Sequence, residues 1–69
     1  MPEIIEFEIE YVYLSKRGER PKIQHKHYVD VIADNVDHAR TIFSTDHAPQ
    51  LNSDDSFVWI TDIIRIPQA

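Results

Sequence analysis

His25 and His27, separated by one residue, are the pair in this chain best spaced to share a metal ion. At strand spacing their imidazoles fall on one face about 7 Å apart. A zinc site needs a third and usually a fourth ligand. The remaining histidines, His38 and His47, fall on or after a helical stretch, and nothing in the sequence directs them to the pair. The alternative has both imidazoles half-buried at the end of a hairpin, against Tyr11 and Ile9, and no metal is assigned. Glu6, Glu8 and Glu10 form a second constellation, a row of like charges about 7 Å apart on one strand face. Such a row would mimic the phosphates of a nucleic-acid strand in a basic groove; alternatively it is a solvated face partly neutralised by Lys22 and Lys26. Acid and base catalysis by paired carboxylates requires surroundings that push their pKa values apart. An open sheet face offers no such surroundings, and no catalytic residue is assigned. A third cluster, Lys16, Arg17, Arg20 and Lys22, would contact phosphate or an acidic protein surface, but no aromatic residue lies in that tip to stack a base. Ser15, Ser44, Ser53 and Ser56 have no His and Asp arrangement around them, and a single glycine excludes a glycine-rich phosphate loop.

The elements that must position these groups follow from periodicity. Ile5, Phe7, Ile9, Tyr11 and Tyr13 alternate with Glu6, Glu8 and Glu10, the period of a strand with one buried face, over Ile4 to Leu14. Residues 15–21 contain the only glycine and end in Pro21, which predicts a hairpin loop. Alternation resumes over 22–33, with Ile23, His25, His27, Val29, Val31 and Ala33 on one parity. Setting Leu14 opposite Lys22 places Glu10 opposite Lys26 and Phe7 opposite Val29; a two-residue slip keeps the faces and brings Glu8 to Lys26 instead. At Asp34 the period changes. Asp34 predicts an N-cap, and Val36, Ala39, Ile42 and Phe43 continue at helical spacing, giving a helix from Asn35 to Thr45. Residues 46–56, with a proline and small polar side chains, predict a loop. Phe57 to Ile66 is a β-branched and aromatic run stopped by Pro67, a strand with apolar residues on both parities.

A right-handed crossover through the helix lays the third strand parallel to the second, with the first between them. The predicted fold is an α+β domain spanning 1–69: a three-stranded, largely antiparallel sheet of order 2-1-3 with one helix on one face, ββαβ.

Length and charge narrow the function. A chain of 69 residues has room for one small core and little more, which argues against an enzyme. Without cysteine there is no disulfide framework, thiolate zinc site or thiol nucleophile. The longest apolar run, 57–60, is far below the roughly 20 residues of a membrane helix, and the start has no basic segment followed by an apolar one. A soluble, cytoplasmic protein without cofactor or membrane partner is expected. The net charge of −5 is unevenly spread: residues 15–26 hold five basic side chains and one acid, so a basic tip is joined to an acidic body.

Trp59 is the remaining feature. If the even parity of the last strand packs under the helix, Phe57, Trp59 and Ile63 share the opposite face as an apolar patch; with the reverse parity Trp59 is core. Either way this strand has more apolar area than one helix covers, and at the sheet edge its backbone is open to strand addition.

The stretch V-D-V-I-A-D-N-V-D-H-A leading from strand to helix and V-W-I-T-D-I-I-R-I-P closing the chain resemble, over residues 28–67, the small ββαβ host-takeover proteins of bacteriophages. That group includes the podophage inhibitors of host RNA polymerase. The resemblance implies a short acidic protein that docks on a host machine through arginines on its last strand. Arg65 matches in type and place; Asp62 and Ile63 stand where more basic character is expected.

Together these readings predict a non-enzymatic protein-binding module, a phage-encoded inhibitor that occludes a host machine such as RNA polymerase or a defence complex in the bacterial cytoplasm. Phe57, Trp59 and Ile63 would supply apolar contact, Arg65 a directed polar one, and Glu6, Glu8 and Glu10 complementarity to a basic surface. The expected partners are a host protein or complex and, through 57–66, a second copy of the chain. The alternative is a nucleic-acid-binding accessory protein that uses the basic hairpin 16–26.

Overall fold

The computed structural model of the chain describes residues 4–17 and 25–67. Three strands, β1 (Glu6–Ser15), β2 (His27–Ile32) and β3 (Ser56–Ile66), form one sheet of order β2-β1-β3, with both partners antiparallel to the central β1. The predicted α+β architecture and strand order are therefore those of the protein. The Glu-flanked odd residues of β1 are the reason: Phe7, Ile9 and Tyr11 are buried and form the floor of the core, with Val31 and Ala33 from the β2 side and Ala39 and Phe43 from the helix above.

The β1–β2 register differs from the expected one. Tyr11 pairs with His27, Ile9 with Val29 and Phe7 with Val31, two residues away from the Glu10–Lys26 alignment and in the opposite direction from the alternative slip. All three registers keep the apolar parity inward, so the hydrophobic pattern alone does not separate them. The observed one sets Phe7 opposite Val31, both buried. Lys26 still reaches Glu10 diagonally, Nζ to Oε1 at 3.4 Å. The predicted Leu14–Lys22 pair falls outside the described residues.

The helix begins one residue later than Asp34 suggests. Asn35 is the N-cap, extended at φ −159°, and its Oδ1 accepts the His38 N–H at 2.8 Å. His38 completes the cap by accepting the Asp34 N–H on Nδ1 at 3.1 Å. An Nδ1 that accepts is unprotonated, so its 3.6 Å approach to the Asp34 carboxylate is not an ion pair in this tautomer.

Helix α1 (Val36–Ile42) runs into a π-helical turn (Phe43–His47) and then α2 (Ala48–Leu51), so the segment expected as a loop from residue 46 is helical to 51. Pro49 explains both the expectation and the outcome. It has no N–H, and in a continuous α-helix its ring would collide with the Thr45 carbonyl. Widening the preceding turn, with Ala48 N–H bonded to the Phe43 carbonyl five residues back, puts Pro49 in the first turn of α2, where prolines are tolerated.

Candidate functional site

β3 changes face once. Glu6, Glu8 and Glu10 pair with Ile66, Ile64 and Asp62, whereas Tyr11, Val12, Tyr13 and Leu14 pair with Ile60, Trp59, Val58 and Phe57. Thr61 is the extra residue between the two stretches, a β-bulge. Its hydroxyl donates to Glu10 Oε1 at 2.9 Å and lies 3.2 Å from the Glu10 carbonyl oxygen, which ties the bulge to the central strand.

The bulge divides the predicted contact residues. Cross-strand pairs share a face, so Phe57 and Trp59 lie with Glu6, Glu8 and Glu10 on the face away from the helix. Ile63, opposite Ile9, and Arg65, opposite Phe7, lie on the helix side. The expectation that Ile63 joins Trp59 is thereby corrected: Ile63 is half-buried and packs against the core. Both parities of this strand are apolar, so the sequence carries no mark of where the reversal occurs.

The open face reads row by row as Ile32–Glu6–Ile66, Asp30–Glu8–Ile64, Tyr28–Glu10–Asp62, Val12–Trp59 and Leu14–Phe57. Five carboxylates occupy its middle and lower edges, and Lys26, through Glu10, is the one cation with a described ion pair there. Apolar side chains border them: Ile32 is 65% exposed, Trp59 58%, Tyr28 54% and Ile64 46%. Val12 is buried although it faces away from the helix and takes no part in the core beneath it. Tyr28, Ile32, Ile64 and Ile66 were not singled out by sequence reasoning. The even parity of 28–32 was the available signal for the first two.

The Glu10 carboxyl is held below its ordinary pKa, first by the Thr61 hydroxyl and then by the Lys26 ammonium. On the helix side, Tyr11 is buried, and this loss of solvent pushes its phenol above its usual value. Tyr11 packs at ring-centroid distances of 5.5 Å on His27 and 5.2 Å on Phe43, and Phe43 in turn stacks on His47 at 6.0 Å. Tyr13 meets the His27 ring edge-on at 5.1 Å. Two of the histidines weighed as metal ligands thus belong to one aromatic cluster, and His38 serves as a helix cap. His25 is exposed beside β2. Among the described residues no three His, Cys, Asp or Glu side chains converge as a metal site. No described helix is long and apolar enough to cross a membrane.

Of the basic hairpin, Lys16 and Arg17 are exposed on the turn after β1, while Arg20 and Lys22 lie outside the described residues. The β3 edge is partly closed. Val58 N–H donates to Asn52 Oδ1 and Ile63 N–H to Asp62 Oδ1, each at 2.9 Å. These N–H groups point away from β1, so two of the donors that an added strand would use are already engaged.

No protein-family model matches the chain, and neither a curated protein nor a solved structure matches it.

Proposed function

We propose that this protein is a non-enzymatic binding module that docks its open sheet face on a basic protein surface. The observation that carries the reading is the composition of that face: five carboxylates framed by exposed Trp59, Tyr28, Ile32 and Ile64. Exposed aromatic and aliphatic anchors supply contact area, and the fixed carboxylates supply orientation and selectivity for cationic partners. A monomer gains nothing from leaving this much apolar surface in water. In its finer form the partner is a bacterial macromolecular machine, such as RNA polymerase or a defence complex, and the protein is a phage inhibitor acting by occlusion. That form rests on the resemblance of residues 28–67 to the phage ββαβ proteins.

The test uses tagged parent chain, Trp59→Ala and Glu8→Lys as baits in a bacterial lysate with and without nuclease treatment, with purified RNA polymerase as a separate arm. The expected result is a protein retained by the parent, released as salt rises, and lost with both variants while their circular dichroism is unchanged. Retention unaffected by either substitution overturns the open face as the docking site. Capture that disappears on nuclease treatment points instead to the nucleic-acid reading through the basic hairpin. Failure of RNA polymerase alone removes that target and leaves the face intact.

A further inference from the structure

On the other side of β3 lies a surface of different character. Val36, Arg40 and Ser44 recur every fourth residue and form one ridge of the helical run. Facing this ridge are Val58, Ile60 and Ile63, three helix-side residues of β3, all left half-buried. Between them are two adjoining depressions of about 270 and 250 Å³, both bordered by Arg40 and Ile60; Trp59 also borders the first, and Thr61 and Asp62 border the second. They stay open because α2, rather than α1, carries the main contact of the helical run with β3.

The Arg40 side chain makes no hydrogen bond or ion pair with any described residue. Its planar guanidinium has Val58, Trp59 and Ile60 along the first depression and Thr61 and Asp62 along the second, and is a ready partner for a carboxylate presented from the first side. The backbone limits what could carry that carboxylate. Val58 and Ile63 N–H groups are occupied by Asn52 and Asp62, and strand alternation turns the backbone of Ile60 to the same edge between these two caps. A long added strand would lack its donors, whereas a short extended segment meets one pairing position. In such a segment, side chains on one face recur about every 7 Å, so a carboxylate at Arg40 sets an aliphatic residue into the first depression, away from Asp62.

We infer that the groove between the α1 ridge and β3 binds a short extended peptide of a partner protein, in which an Asp or Glu pairs with Arg40 and an aliphatic residue beside it fills the depression bordered by Val58, Trp59 and Ile60. Arg40 lies on the opposite side of the sheet from the carboxylate row, and Trp59 borders both surfaces.

The test is an NMR titration of the full ¹⁵N-labelled chain with a blocked heptapeptide having Leu and Val around a central Glu, beside its Gln and Lys counterparts. Expected are shifts confined to Arg40, Ser44 and 58–63, with the Glu peptide binding about tenfold tighter than the Gln peptide. That preference disappears in Arg40→Gln, survives in part in Arg40→Lys, and is untouched by Glu8→Lys on the opposite face. Equal binding of Glu and Gln peptides, shifts confined to the open face, or no shift at millimolar peptide would each overturn the inference. Reproduction of the same shifts by sodium octanoate at equal concentration would overturn the peptide assignment in favour of a simple amphipathic carboxylate.

Discussion

Thr61 donates its hydroxyl to Glu10 at 2.9 Å, and this contact joins the residue that reverses the facing of β3 to the middle of the acidic row. The same bond lowers the Glu10 pKa. One side chain therefore sets which β3 residues share a face with the carboxylates and also keeps the nearest carboxylate ionised.

Replacing Thr61 with Val removes the donor at nearly constant volume. The Glu10 carboxyl is then expected to titrate closer to its ordinary value, with Lys26 still holding it somewhat low. The sign follows from linkage. A depressed folded pKa contributes stability above the unfolded value, and this is lost as pH falls through the folded one. The parent should thus exceed Thr61→Val in stability at neutral pH, with the gap narrowing on acidification below the ordinary carboxylate range. Urea melts across pH 2.5 to 7 beside Thr61→Ser, which keeps the hydroxyl, check this; a gap that stays constant with pH contradicts it.

Trp59 and Phe43 are the large aromatics that test the two faces. Phe43 is almost wholly buried in the core, whereas Trp59 is 58% exposed. Phe43→Ala should cost about 3–5 kcal/mol, enough to unfold so small a domain. Trp59→Ala should cost about 1 kcal/mol or less and leave the near-native spectrum of a folded chain. Thermal melts of both variants separate these outcomes, and unfolding by Trp59→Ala would place that residue in the core.

Much of this fold is written in the order of apolar residues. The alternation around Glu6, Glu8 and Glu10 determines which face of β1 is buried, and a right-handed crossover then leaves only the 2-1-3 strand order. Three features escape that logic. The hairpin register is one of several that keep Phe7 and Ile9 inward, and choosing among them depends on the turn. The bulge at Thr61 sits in a strand apolar on both parities, so reversing it costs the pattern nothing. Pro49 reads as a helix stop because proline excludes an α-helical turn, yet the π-helical turn before it removes the clash. The site was legible to the same extent. Phe57 and Trp59 do share the face of the glutamates, whereas Ile63 and Arg65 are carried to the other side by one inserted residue. Arg40 carries no mark in the sequence, because the groove it borders forms only when α1 and β3 come together in the fold.

The helix start provides a local test of capping. Asn35 Oδ1 satisfies the His38 N–H, and His38 Nδ1 returns a bond to the Asp34 N–H. Asn35→Ala should lower stability by about 1 kcal/mol, and Asn35→Asp should retain most of it. Equilibrium denaturation of the two variants against the parent measures the difference; equal losses in both would show that the cap contributes little.

The capped edge of β3 leads to a prediction about association. Asn52 and Asp62 occupy the Val58 and Ile63 N–H groups, and Asp62 adds a charge beside a strand otherwise rich in isoleucine, valine and aromatics. An exposed strand of that composition pairs with other chains unless its donors are engaged or its edge is charged. The double variant Asn52→Ala, Asp62→Ala removes both acceptors and the charge, and light scattering should show it associating at concentrations where the parent does not. Asp62→Asn separates the two contributions, because an amide oxygen still accepts the Ile63 N–H after the charge is gone. If the acceptor is what blocks pairing, Asp62→Asn behaves as the parent; if charge repulsion does, it associates as the double variant does. Should the double variant scatter like the parent, the edge is protected by something other than these two side chains, and the limit they place on strand addition at β3 falls with it.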